Sequence, residues 1–78
     1  MPARVEKGRL YVGAGESIGK NDAVSVFSEL PRQEFAGVMH NLAPNEVIVR
    51  LSDGTKARVP LQHLRHGRVS LHLSLIHI

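Results

Sequence analysis

Apolar and polar residues alternate most clearly between Val47 and Val59, which read Val-Ile-Val-Arg-Leu-Ser-Asp-Gly-Thr-Lys-Ala-Arg-Val. Two runs of strand character flank Asp53-Gly54, and this predicts a β-hairpin. A two-residue loop at Asp53-Gly54 would set Val49 opposite Arg58 and Leu51 opposite Lys56, mixing apolar and cationic groups on one face. A three-residue loop, Ser52-Asp53-Gly54, is a type I turn closed by a left-handed glycine. It sets Leu51 opposite Thr55, Val49 opposite Ala57 and Val47 opposite Val59. One face is then apolar, while the other carries Arg50 beside Lys56 and Ile48 beside Arg58. This second register separates a core side from a cationic side and is the one expected.

The same alternation organises the rest of the chain. Residues 1–8 show no periodicity and are expected to be a flexible lead-in. Residues 9–12 suit a short strand ended by Gly13-Ala14-Gly15. The stretch from Gly13 to Asn21 ends in Gly19-Lys20 but fails as a phosphate loop, because its first glycine would fall on Ala14 and its hydroxyl residue on Asn21; it reads as a glycine-rich turn. Val24 and Val26 alternate with small or polar residues over 23–28, a half-buried strand. A polar loop is expected at 31–34 and a second strand at 35–40, in which Gly37 suggests a bulge or a sharp bend. Residues 41–45 form a turn around Pro44-Asn45. After the hairpin, Pro60 stops the strand, residues 61–64 fit one helical turn with Leu61 and Leu64 plugging one end, and Gly67 reverses the chain. Val69, Leu71, Leu73 and Leu75 then alternate with Ser70, His72 and Ser74 as a closing strand. The expected fold is all-β: a small antiparallel barrel of about five strands, over residues 9–72, with one short helical turn before the last strand.

With 78 residues, a single small domain buries only about 60–65% of its unfolded surface, so a homo-oligomer is a natural way to gain burial. There is no cysteine, which removes disulfides and thiolate zinc sites and suits a reducing cytoplasm. No apolar run reaches the roughly 18–20 residues of a membrane span, and the N-terminus lacks the apolar segment of a secretory signal. The formal charge of +3 is unevenly spread: five Lys/Arg stand against six Asp/Glu up to residue 49, and five against Asp53 alone thereafter. The basic character belongs to the hairpin and to the segment C-terminal to it.

The succession of a Gly37-Val38 strand, a turn, Val-Ile-Val-Arg-Leu-Ser-Asp-Gly, Ala-Arg-Val-Pro and a Leu-x-x-Leu turn resembles SH3-like barrels of the KOW and Tudor type over about Lys20 to Leu71. That class serves nucleic-acid binding, translation, transcription and protein docking alike. Asn41-Leu42-Ala43-Pro44 and the run from Lys56 to Leu64 are also similar to segments of type II, trimethoprim-resistant dihydrofolate reductases, SH3-like barrels that assemble as tetramers around a central pore. Where that family places the Gln and Tyr that hold cofactor and substrate, this chain has Ala57 and Val59, so the resemblance does not carry the activity with it. Gly37-Val38 through Leu42, Val49-Arg50-Leu51 and Asp53-Gly54 further resemble the first strands of OB-fold domains such as bacterial translation initiation factor one, a reading that leaves residues 9–34 as an extension. Residues 73–78, Leu-Ser-Leu-Ile-His-Ile, look like a translated sequencing-adapter end and are read as a non-native tail.

Candidate chemistry is sparse. His63 and His66 stand three apart, with His72 as a third candidate ligand, but no acidic ligand accompanies them and Arg65 and Arg68 would repel a cation, so no metal is expected. No nucleophile triad can be grouped, no cofactor is implied, and an enzyme is not expected. Tyr11, Phe27 and Phe35 are too few for a methyl-lysine cage or a base-stacking platform, and the two phenylalanines are better placed in the core. The expected site is a phosphate-binding surface of Arg50, Lys56, Arg58, Arg65 and Arg68, with nucleic acid as partner and a salt slope of about −4. The alternative is a protein-interaction barrel that oligomerises through Ile48, Phe27 and Met39, with the cations only solubilising.

Overall fold

The computed structural model describes residues 3–13, 16–29 and 31–74. Within them the elements come in the order β1 (Arg4–Glu6), β2 (Arg9–Tyr11), β3 (Ser17–Gly19), β4 (Ala23–Glu29), β5 (Arg32–Leu42), β6 (Glu46–Leu51), β7 (Lys56–Pro60), α1 (Leu61–Arg65) and β8 (Val69–Leu73). They form two antiparallel sheets, one of order β1-β2-β3 and one of order β7-β6-β5-β4-β8. The all-β class expected from the alternation is found. Closure is not: β7 and β8 are the two free edges of the larger sheet, and the smaller sheet supplies additional cover.

The core is set by strand parity. Val24, Val26, Met39, Val47, Val49, Val59 and Leu71 leave one face of the large sheet and meet Leu10 and Ile18 of the small sheet, with Leu61 of α1 and Ala3, in one buried cluster. Full burial of each large side chain contributes about 1.5–3 kcal/mol. Leu64 packs against the same cluster, so both leucines of the helical turn face the core, although there is no closed barrel end for them to plug. Pro60 is the last residue of β7, and the Leu61 N–H donates to the Asn45 carbonyl at 3.0 Å, which fixes α1 to the β5–β6 turn.

The hairpin takes the expected register: Val47 faces Val59, Ile48 faces Arg58, Val49 faces Ala57 and Arg50 faces Lys56. Its turn is the three-residue loop. The Gly54 N–H donates to the Leu51 carbonyl at 3.0 Å, the Leu51 N–H donates to the Thr55 carbonyl at 2.8 Å, and Gly54 has φ +89°, a conformation that a side chain would strain. Asp53 Oδ1 accepts from the Thr55 N–H at 2.9 Å and from Thr55 Oγ1 at 2.6 Å. The Thr55 hydroxyl first, then its amide, hold the Asp53 carboxyl below its ordinary range. A carboxyl depressed by folding stabilises above its unfolded pKa of about 3.9 and loses that contribution as pH falls through the folded value. Asp53→Ala is therefore expected to lower Tm at pH 6 and to show a shallower loss of Tm than the unsubstituted protein on acidification below about pH 4, read by circular dichroism melts.

Several segments depart from expectation. The lead-in contains β1, which pairs with β2 through Glu6 opposite Arg9. Lys7 and Gly8 both have positive φ, 52° and 76°, the left-handed pair of a type I′ hairpin turn. The glycine-rich stretch contains β3, with Ile18 opposite Leu10. The polar loop expected at 31–34 is corrected, since Arg32 already pairs with Glu29 and β5 runs from there for 11 residues. The bulge lies at His40, between Met39 and Asn41, rather than at Gly37. Leu75 and the rest of the suspected tail beyond Ser74 lie outside the described residues; Leu73 pairs with Val24 in β8. Among the described residues no helix is long and apolar enough to cross a membrane.

Candidate nucleic-acid interface

On the face opposite the core, the hairpin presents Arg50 directly across from Lys56, with Ile48 and Arg58 as the next pair. Because Leu51 donates to Thr55, the alternation of an antiparallel ladder makes Arg50 and Lys56 a non-hydrogen-bonded pair, in which facing Cα atoms come within about 4.5 Å. Like charges directly opposite destabilise a sheet. Among the described residues, carboxylates reach Arg4, Arg9 and Arg58 at 3.8 Å, from Glu6, Asp22 and Glu46, while none forms an ion pair with Arg50, Lys56 or Lys20. The Arg58 side chain is 72% exposed, so its pairing with Glu46 contributes little and leaves the guanidinium accessible.

Two more basic side chains join this group. Val38 of β5 pairs with Arg50, and two residues on, the bulge adds His40 to the strand. The turn holding Lys20 is fastened to the same place: the Asn21 N–H donates to the Met39 carbonyl at 2.8 Å, and the Met39 N–H to the Asp22 carbonyl at 2.9 Å. Asn21 adopts φ 74° to make that approach. His40 titrates below its ordinary value because partial burial disfavours its charged form and because Lys56, Arg50 and Lys20 repel it. Neither Lys20 nor His40 was expected from the sequence. The signal that could have found His40 is the spacing of Met39 and Leu42, two inward apolar positions separated by the polar pair His40-Asn41, three apart where a regular strand requires two.

The other two expected cations do not join them. Arg65 Nε donates to the Ala3 carbonyl at 2.9 Å, part-buried, and so ties α1 to the N-terminus. It lines a groove of about 370 Å³ with Ala3, Val12, Glu16, Leu64 and His72. Arg68 accepts the Glu29 N–H at its carbonyl, at the opposite end of β4 from Ala23, which pairs with the Val38 neighbour of Arg50. Six residues of strand separate the two places, roughly 20 Å. The single surface of Arg50, Lys56, Arg58, Arg65 and Arg68 is thus corrected to a cluster of Lys20, His40, Arg50, Lys56 and Arg58.

The expected oligomerisation positions are also redistributed. Met39 is fully buried in the core, whereas Ile48 is half-buried on the cationic face. Phe27 is not a core residue: it lies opposite Glu34 on the outer side of β4, with the Arg32 guanidinium 5.8 Å from its ring centre. Tyr11 likewise carries Arg4 at 4.7 Å.

No protein-family model matches the chain, and no curated protein sequence matches it.

Proposed function

We propose that this domain is a small SH3-like nucleic-acid-binding module that holds the phosphate backbone on the outer face of the β6–β7 hairpin. The order β8-β4-β5-β6-β7, with α1 carrying the chain from one edge strand to the other, is compatible with the SH3-like class that the sequence resembles. The observation that carries the functional reading is Arg50 directly opposite Lys56 with no carboxylate partner among the described residues. A sheet gains nothing by placing two cations face to face, whereas an anion seated between them is bound by both. Lys20 and Arg58 extend the patch, and the open concavity beside Arg50 is otherwise lined by Ala36, Gly37, Val38, Leu51 and Ser52, which offer few side-chain groups to base edges, so the binding proposed is sequence-independent.

The rival reading, a protein-interaction domain assembling through Ile48 and Phe27, rests on the half-exposed apolar groups of the outer face. The two separate in one experiment. Anisotropy of a labelled DNA or RNA duplex is expected to report binding at low salt, lost by at least tenfold in the double variant Arg50→Ser, Lys56→Ser and retained in Arg68→Ser. A defined oligomer on sizing, with no duplex binding at 50 mM salt, gives the rival the case.

A further inference from the structure

We propose that His40 is a proton-linked phosphate contact: its imidazole, carried by the β5 bulge beside the turn that holds Lys20 and near the Arg50–Lys56 pair, takes up a proton from solvent when a backbone phosphate seats in the cluster. This inference rests on the nucleic-acid reading and adds a specific residue and a specific pH response to it.

The geometry comes first. A regular strand would alternate His40 and Asn41 between the two faces, but the extra residue lets both stand between the inward Met39 and Leu42. His40 is half-buried there. The charged groups whose fields act on it, among the described residues, are cationic: Lys56 from β7, Arg50 from β6 and Lys20 from the turn after β3. The carboxylates of the adjoining elements are engaged elsewhere, since Asp22 accepts the Gly19 N–H at 2.8 Å and lies 3.8 Å from Arg9, and Glu46 lies 3.8 Å from Arg58. Partial burial first, then this positive surround, disfavour the charged imidazole. A bound phosphate reverses the local field, because its negative charge neutralises the neighbours and accepts a hydrogen bond from a protonated ring nitrogen. The histidine then prefers its charged form, and by linkage the affinity for phosphate rises as pH falls.

The test is a duplex without terminal phosphates, titrated by anisotropy at constant ionic strength from pH 8.0 to 5.5. Affinity is expected to rise toward acid, by up to about tenfold for each pH unit by which binding raises the histidine's pKa. His40→Gln is expected to show a flat profile from pH 8.0 to 5.5, while His63→Gln, His66→Gln and His72→Gln keep the slope. Because a bulge variant can lose stability, the same question is put to the unsubstituted protein by NMR: the His40 imidazole should titrate at higher pH with duplex than without. Binding that is strong but equally strong at every pH, or a His40 titration unmoved by duplex, overturns the inference and leaves the nucleic-acid reading standing. No duplex binding at any pH overturns both.

Discussion

Replacing Gly37 with valine is expected to destabilise the domain by about 3 kcal/mol or more. A Cβ built at Gly37 would stand 2.6 Å from Val49 Cγ1, 2.8 Å from the Arg50 carbonyl oxygen and 3.3 Å from Leu51 Cδ2. The second contact is with the backbone of the neighbouring strand, so relief requires β6 to move away from β5 rather than a side chain to turn. A domain of this size holds about 4–12 kcal/mol in total, and each kcal/mol shifts Tm by about 4–8 °C. The expected fall in Tm is therefore roughly 12–24 °C, read by thermal melts. Gly19→Ala is the informative contrast. A Cβ there would come 2.6 Å from Arg9 Nη1, the far end of a flexible side chain that is about half exposed, so the expected cost is under about 1 kcal/mol. Since Gly37 pairs with Leu51 immediately beside Arg50, a milder variant, Gly37→Ala, is also expected to weaken duplex binding by displacing that arginine.

The second large effect is the dependence of binding on salt. With Lys20, Arg50, Lys56 and Arg58 each neutralising one phosphate of a B-form duplex, log affinity is expected to fall against log salt with a slope of about −3.6. Between 50 and 200 mM salt that amounts to a loss of about 150-fold. Each cation removed from the cluster takes about 0.9 from the slope, so Lys56→Ser should give about −2.7 and Arg50→Ser with Lys56→Ser about −1.8. Arg65→Ser should leave it unchanged, because that guanidinium is directed to the Ala3 carbonyl. A slope near zero with substantial affinity would mean that the contact is apolar and that the cationic face is not the interface.

How much of this was legible in the sequence differs from element to element. The hairpin register was readable because two loop lengths predict opposite parities, and only one of them keeps Val47, Val49 and Val59 on the same side as Ala57. The same parity argument would have put Phe27 outside, since Val24 and Val26 already occupy the inner side of β4. Lys7-Gly8 carried a turn signal in its glycine, but strands of three residues are too short for alternation to show. Arg65 could not have been placed from sequence, because its partner Ala3 lies 62 residues away and the contact involves a main-chain oxygen rather than a complementary side chain. The cationic cluster was half legible: cross-strand pairing located Arg50, Lys56 and Arg58, while Lys20 reached them only through the hydrogen bonds of the turn to Met39.

The extra residue of β5 has an implication for which changes the chain can tolerate. Met39 and Leu42 lie on the same side of that strand with two residues between them. A chain one residue shorter at position 40 would restore strict alternation and keep every apolar group of the strand where it is. Strict alternation thus requires only one residue between Met39 and Leu42, so single-residue deletions tested along β5 should spare the core at His40 or Asn41 and be ruinous at Met39.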